Sequence, residues 1–207
     1  MYGIIIFVYM KYFTTIVLLL FVACSLNKED ENTIEIYRFE NQLFKTNDSN
    51  IFADRLKWED KVGSFAFSYY KFLFNTNNNT IVNSQILSFI NNNDMREVYD
   101  TINIRFSSIA NLNDNIGNSL YNFKTLFPEY PIPNIITMFS GFNYGVIVED
   151  SLIAIGLDFY LGKNSVFYQR LGDPEYLRLQ KQAKFITPNV MEAWYDSFFS
   201  FTNKRTN

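Results

Sequence analysis

The chain has 207 residues, 48% of them hydrophobic and 19% charged, enough apolar side chain to bury one sizeable core in one domain. Its formal charge of -3 gives no electrostatic case for nucleic-acid binding, which wants a basic face. With no His and a single Cys, it cannot build a Ser-His-Asp or Cys-His relay, an imidazole zinc site or an intramolecular disulfide.

From Met10-Lys11 the stretch MKYFTTIVLLLFVACS sets a positive charge before an apolar run to Val22, then small Ala23 before Cys24. That is the layout of an export signal. Its Ala-Cys end resembles a bacterial lipoprotein signal, in which the Cys is acylated and becomes the first residue of the mature chain. The competing reading, a transmembrane helix over 3–23, would bury Lys11 in mid-span at a cost of about 2.5–3.5 kcal/mol. The prediction is therefore a signal peptide over 1–23, with Met10 as the true start, and lipidation (palmitate among the acyl chains) at Cys24. Acyl chains bury CH2 groups at about 0.8 kcal/mol each, so several of them anchor stably to a membrane. A polar, acidic tether comes next, over 24–33. Ser25 is not the Asp that resembles an inner-membrane retention signal, which favours the outer membrane, on its periplasmic or surface face.

A globular domain is expected over 34–207. Residues 34–40 alternate apolar and polar and read as a short strand, with a helix beginning over 41–44. Over 51–74 the positions Leu56, Phe65, Tyr69, Phe72 and Leu73 take helical spacing in the second half, ended by the Asn-rich loop 75–79. Asn83 or Ser84 caps a helix through Ile90, and Asp94 caps another reaching about Ala110. Asp114 opens a third over 115–127, closed by Pro128, and Pro131 and Pro133 set an extended entry into the strand-like segment beginning at Ile135.

Two β-branched and aromatic runs, 135–148 and 152–157, flank Glu149-Asp150-Ser151 and read as a β-hairpin with a polar tip. Gly141, Gly145 and Gly156 lie inside strand-like sequence, where a missing side chain marks a bulge or a close backbone approach. The hairpin leads into Gly-Leu-Asp-Phe-Tyr-Leu-Gly (156–162), which sets Asp158 among large apolar neighbours. Asp173-Pro174 then starts a helix running through 178–183, and Thr187-Pro188 a last one through Phe201. Several antiparallel helices around one small antiparallel sheet or hairpin make the expected class α+β, mostly helical.

Cys24, then Ile36-Tyr37-Arg38-Phe39-Glu40 with Leu43-Phe44, open a series of motifs. Leu126-Phe127-Pro128 with Pro131 and Pro133, Ser140-Gly141-Phe142-Asn143 and the 156–162 run come after it in order. Arg170, Pro174, Tyr176 and Pro188-Asn189-Val190-Met191 complete it. In this order the chain resembles the gliding-motility lipoprotein GldB family over nearly all of 24–207, with Gly-Leu-Asp-x-Tyr-Leu-Gly the most specific piece. The resemblance implies a cell-envelope lipoprotein needed for surface gliding, held to the membrane through Cys24 and working with other gliding or secretion envelope proteins. It carries over no catalytic activity and no cofactor. It also implies a C-terminally short chain, from a shortened or frameshifted gene, because family members continue well past the helix expected to end at Phe201.

The family is more distantly similar to zinc peptidases with His-Glu-x-x-His, where residues four apart bring two imidazoles to one metal. If the Pro188 helix corresponds, Met191-Glu192-Ala193-Trp194-Tyr195 stands there with both His positions replaced. The alternative is that Met191, Trp194 and Tyr195 form a core face and Glu192 is solvated. No zinc site is expected on either reading. Asp158 is either a buried, hydrogen-bonded structural acid or a ligand or partner contact, and Tyr160 is a second candidate for such a contact. Glu149 and Asp150 read as a solvated turn rather than a catalytic pair, with partner contact as their other option. The leading expectation is a non-enzymatic binding or assembly protein. One rival is a degenerate zinc-peptidase-like or carboxylate-based hydrolase, which needs two facing acids in a deep pocket. The other is a carbohydrate-binding lipoprotein, which needs an exposed aromatic strip beside the hairpin.

Overall fold

A computed structural model describes residues 33–76 and 78–199. The predicted signal over 1–23, Cys24, the tether as far as residue 32 and the expected helix end at Phe201 lie outside the described residues.

Strand β1 (Tyr37–Arg38) turns at once into helix α1 (Phe39–Lys45), so the strand expected over 34–40 is only two residues long. Phe39 and Leu43 lie four apart and reach the core together from one helical face, which a continuing strand would not allow. The stretch 51–74 is two helices. Gly63, at φ 60, ends α2 (Ile51–Val62) with its N–H on the Glu59 carbonyl at 2.9 Å, and α3 (Phe65–Phe74) comes after it. Ile51, Arg55, Trp58 and Val62 form the buried stripe of α2; Phe65, Ala66, Tyr69 and Tyr70 form that of α3.

Asparagines set the next boundaries. Asn75 ends α3 in the left-handed conformation, and the Asn78 side chain accepts from the Thr80 N–H at 2.8 Å to cap α4 (Asn79–Asn91). The Asn92 side chain accepts from the Asp94 and Met95 N–H groups to cap α5 (Asn93–Arg105). The caps are thus Asn78 and Asn92, rather than Asn83 or Ser84 and Asp94. Helix α6 (Ala110–Leu126) begins before Asp114 and buries Ile116, Leu120 and Phe123.

Strands β2 (Asn134–Met138), β3 (Val146–Glu149) and β4 (Leu152–Gly156) join β1 in a four-stranded sheet of order β1-β2-β4-β3. β3 and β4 form the expected hairpin, with Glu149 opposite Leu152 across Asp150-Ser151. The run 135–148 is not one arm of it but two strands. β2 pairs parallel with β4, from Asn134↔Leu152 to Met138↔Gly156, and β1 pairs parallel with β2. The sheet is therefore mixed rather than antiparallel, within an α+β domain. All five residues of β4 are buried, as suits a central strand whose sequence, Leu-Ile-Ala-Ile-Gly, has no polar side chain to expose.

A 3-10 turn (Leu157–Tyr160) continues β4 and leads to α7 (Val166–Arg170) and α8 (Glu175–Arg178). The helix expected from Asp173-Pro174 is confined to those four residues. A second 3-10 turn (Ala183–Phe185) precedes α9 (Ile186–Phe199), which packs on α6, β3 and β4 and buries Ile186, Val190 and Trp194 at four-residue spacing. One apolar core joins these elements from Ile36 to Trp194. Among the described residues no helix is long and apolar enough to cross a membrane.

Candidate functional site

β2 and β3 lie on opposite sides of β4, so residues 139–145 must pass over the end of β4. Two residues of the 156–162 run make that crossing. At Gly156 an added Cβ would overlap the Tyr144 carbonyl oxygen and lie 2.8 Å from Ser140 Oγ. Only glycine leaves room for the chain to pass there, and its N–H ties the crossing down on the Gly145 carbonyl at 2.9 Å.

Asp158 is fully buried beneath the crossing. Its Oδ1 accepts from the Ser140 N–H at 2.8 Å, and its Oδ2 accepts from the Ser140 hydroxyl at 3.1 Å and the Phe142 N–H at 2.5 Å. The carboxylate fills a concavity of backbone N–H groups. It also holds Phe142 at φ 64, a left-handed conformation that bulky L residues avoid. Burial pushes the Asp158 carboxyl up to about 6, against the pull of the Ser140 and Phe142 N–H groups and the Ser140 hydroxyl. Both backbone partners can only donate, so they favour the ionised acid and hold back part of the rise that burial causes.

Tyr160 is also fully buried. Its hydroxyl accepts from Asn189 Nδ2 on α9 at 2.8 Å and fills the space that a side chain at Gly145 would need. Burial raises its pKa, with the Asn189 hydrogen bond opposing. Two more tyrosines brace the region. Tyr69 on α3 donates to the Phe139 carbonyl at 3.0 Å; the Tyr168 hydroxyl on α7 accepts from the Leu161 N–H and donates to the Phe159 carbonyl, both at 2.8 Å.

Glu149 and Asp150 stand at the other end of β4. Glu149 closes β3, and exposed Asp150, at φ 52, accepts from the Ser64 hydroxyl at 3.3 Å. The structure thus groups Asp158 with Tyr160 and Glu149 with Asp150, and does not unite the four in one site. Asp158 and Tyr160 make these hydrogen bonds inside the fold, where both support the crossing.

A second buried acid, Glu40, escaped the sequence pattern. Its Oε1 accepts from Arg38 Nε and its Oε2 from the Thr137 hydroxyl, both at 2.6 Å, while Arg38 Nη1 donates to the Phe106 carbonyl at 2.6 Å. Alternation over 34–40 gives Glu40 the face opposite Phe39. The switch to helix at Phe39 turns both inward, and the four-residue spacing of Phe39 and Leu43 was the signal for it.

Three surface cavities have neither buried acid in their lining. One of about 410 Å³ lies between α5, α6 and the start of α9, lined by Arg105, Ser108, Asn111, Lys184 and Thr187 among others, with no carboxylate. One of about 450 Å³ between α3, α4 and α5 also lacks a carboxylate. A third, of about 240 Å³, is mainly apolar and includes one acid, Asp94, beside Phe142, Phe167 and Leu171. None of the three offers two facing acids. Among the described residues no three His, Cys, Asp or Glu side chains converge as a metal site.

These features define a mostly helical α+β domain whose most distinctive motif serves its own chain crossing. The family described as gliding motility protein GldB matches residues 25–207, and the chain belongs to that family. No curated protein and no solved structure matches the chain.

Proposed function

We propose that the protein is a lipid-anchored component of the cell envelope that serves the gliding apparatus by binding or assembly, without catalysing a reaction. The observation that carries this reading is the family match, which begins at residue 25, one position after Cys24. The anchor would be acyl chains on Cys24, with the outer membrane favoured by Ser25. The non-enzymatic part draws support from the engaged, buried state of Asp158 and Glu40 and from cavities lined by at most one carboxylate. The motive force would then come from partner proteins.

Deletion of the gene should abolish single-cell movement and spreading, and the 207-residue chain should restore both. Cys24→Ala should leave the domain folded but move it from the membrane fraction to the soluble one, and should fail to restore movement. Normal movement after deletion would overturn the gliding role. Membrane sedimentation of the Cys24→Ala chain as complete as that of the parent and undiminished by high salt would overturn the lipid anchor.

A further inference from the structure

Residues 163–180 form an excursion that starts and ends at one place and is fastened to the core by buried Phe167 and Tyr168. Leu161 bridges to Gln182, and the Gly162 N–H donates to the Lys181 carbonyl at 2.9 Å, so this excursion has a closed base. The base is firmly built. Lys181 is 8% exposed and donates to Asp173 at 2.5 Å, and its ammonium lies 4.6 Å from the Phe159 ring centroid and 4.9 Å from that of Tyr168.

Beyond that base the excursion turns apolar side chains outward. Val166, Leu171, Tyr176, Leu177 and Leu179 are 49, 56, 69, 45 and 48% exposed, and α8 buries none of its residues. Single exposed apolar side chains are ordinary on a protein surface, but five within fourteen residues of one pinned excursion form a concentration that needs a reason.

The charge around them narrows the reason. Residues 163–184 hold five basic and two acidic side chains, in a chain whose formal charge is -3. Arg170 is paired with Glu97 and Lys181 with Asp173, whereas Lys163 and Lys184 are exposed and have no carboxylate partner among the described residues. Exposed Leu and Tyr in a stretch flanked by Lys163 and Lys184, with Glu175 an exposed acid inside it, suit the headgroup region of an anionic bilayer. Protein–protein interfaces, by contrast, are depleted in Lys.

We infer that residues 163–184 dock the domain on an anionic phospholipid surface. Leu171, Tyr176, Leu177 and Leu179 enter the boundary between headgroups and acyl chains, and Lys163 and Lys184 face lipid phosphates. The inference rests on the membrane-anchored reading above. The anchor keeps the domain near a bilayer, and the excursion decides which side it presents.

The test uses the full chain in vesicles whose lipids carry brominated acyl chains, which quench tryptophan on contact. Trp58 and Trp194 are 2% and 0% exposed and give a constant, shielded background. Tyr176→Trp should add emission that is blue-shifted and quenched in phosphatidylglycerol vesicles, and much less so in phosphatidylcholine. Phe52→Trp, on α2 and 61% exposed in the parent, should stay unquenched in both. Lys163→Glu with Lys184→Glu should remove most of the quenching at position 176. Failure of the chain to sediment with vesicles would sink the anchor and this proposal together. Sedimentation with position 176 unquenched in the anionic vesicles would overturn the docking alone. A blue shift without quenching that grows with protein concentration would assign the surface to a second copy of the chain, and would equally overturn it.

Discussion

Asp158 carries a negative charge into a fully buried place where hydrogen-bond donors, rather than a cation, balance it. Asp158→Ala leaves the Ser140 and Phe142 N–H groups without their acceptor, at about 1–3 kcal/mol for each group left unpaired. Asp158→Asn turns an N–H donor toward donors and also destabilises. The acid further sets a pH dependence of definite sign. Its carboxyl is raised from 3.8 to about 6 by burial. Between those values the folded chain binds more protons than the unfolded one, so stability falls as pH rises through that window. The total contribution is about 3 kcal/mol. Urea unfolding at pH 4 and pH 7 should show the parent's advantage over Asp158→Asn larger at pH 4; an advantage that grew toward pH 7 would refute the raised value. That Asp158 is buried was legible from its apolar neighbours. Its partners were not, because Ser140 and Phe142 stand 18 and 16 residues away and meet it only through the chain crossing.

The crossing itself shows how far an element can be read from pattern. The hairpin tip at Glu149-Asp150-Ser151 was legible because polar residues interrupt two β-branched runs there. The division of 135–148 into β2 and β3 was not, since Gly141 and Gly145 read equally as a bulge within one strand. What separates the two readings is long-range pairing, in which Met138 and Val146 flank neighbouring residues of β4, Gly156 and Ile155. Helix ends were blurred for a related reason. In the Asn-rich segments several residues can cap, and burial of Val82, Ile86 and Ile90 selects the register that makes Asn78 the cap of α4. The crossing yields a sharp test at Gly156. Gly156→Ala sets a Cβ against the Tyr144 carbonyl, a backbone atom with little freedom to yield. We expect a loss of about 1–3 kcal/mol, as for overpacking in a dense core, read as a lower thermal midpoint. A Gly156→Ala chain as stable as its parent would mean that residues 139–145 pass elsewhere.

At the scale of the whole molecule, the question is whether the N-terminal helices and the sheet with α9 melt as one. Sequence order separates them, with β1 and α1 at one end of the domain and α9 at the other. The core does not. Phe39 of α1 meets Trp58 of α2 at 5.8 Å between ring centroids and Tyr69 of α3 at 5.0 Å, while Phe44 lies 5.7 Å from Phe139, the first residue after β2. β1 is itself held to β2, and Glu40 is bonded to Thr137 within that strand. Trp194 on α9, fully buried, belongs to the same apolar cluster as Trp58. We expect a chain cross-braced in this way to unfold in a single cooperative step. The two tryptophans report from its two ends, so Trp58→Phe isolates the signal of α9 and Trp194→Phe that of α2. In each single-tryptophan chain the fluorescence midpoint in urea should coincide with the midpoint of helical circular dichroism for that same chain. Coincidence in both would mean that losing α9 costs the N-terminal helices their fold as well. If fluorescence from Trp194 changed well before the circular dichroism of its chain, α9 would be a separately melting element, and the single core drawn from Ile36 to Trp194 would have to be divided.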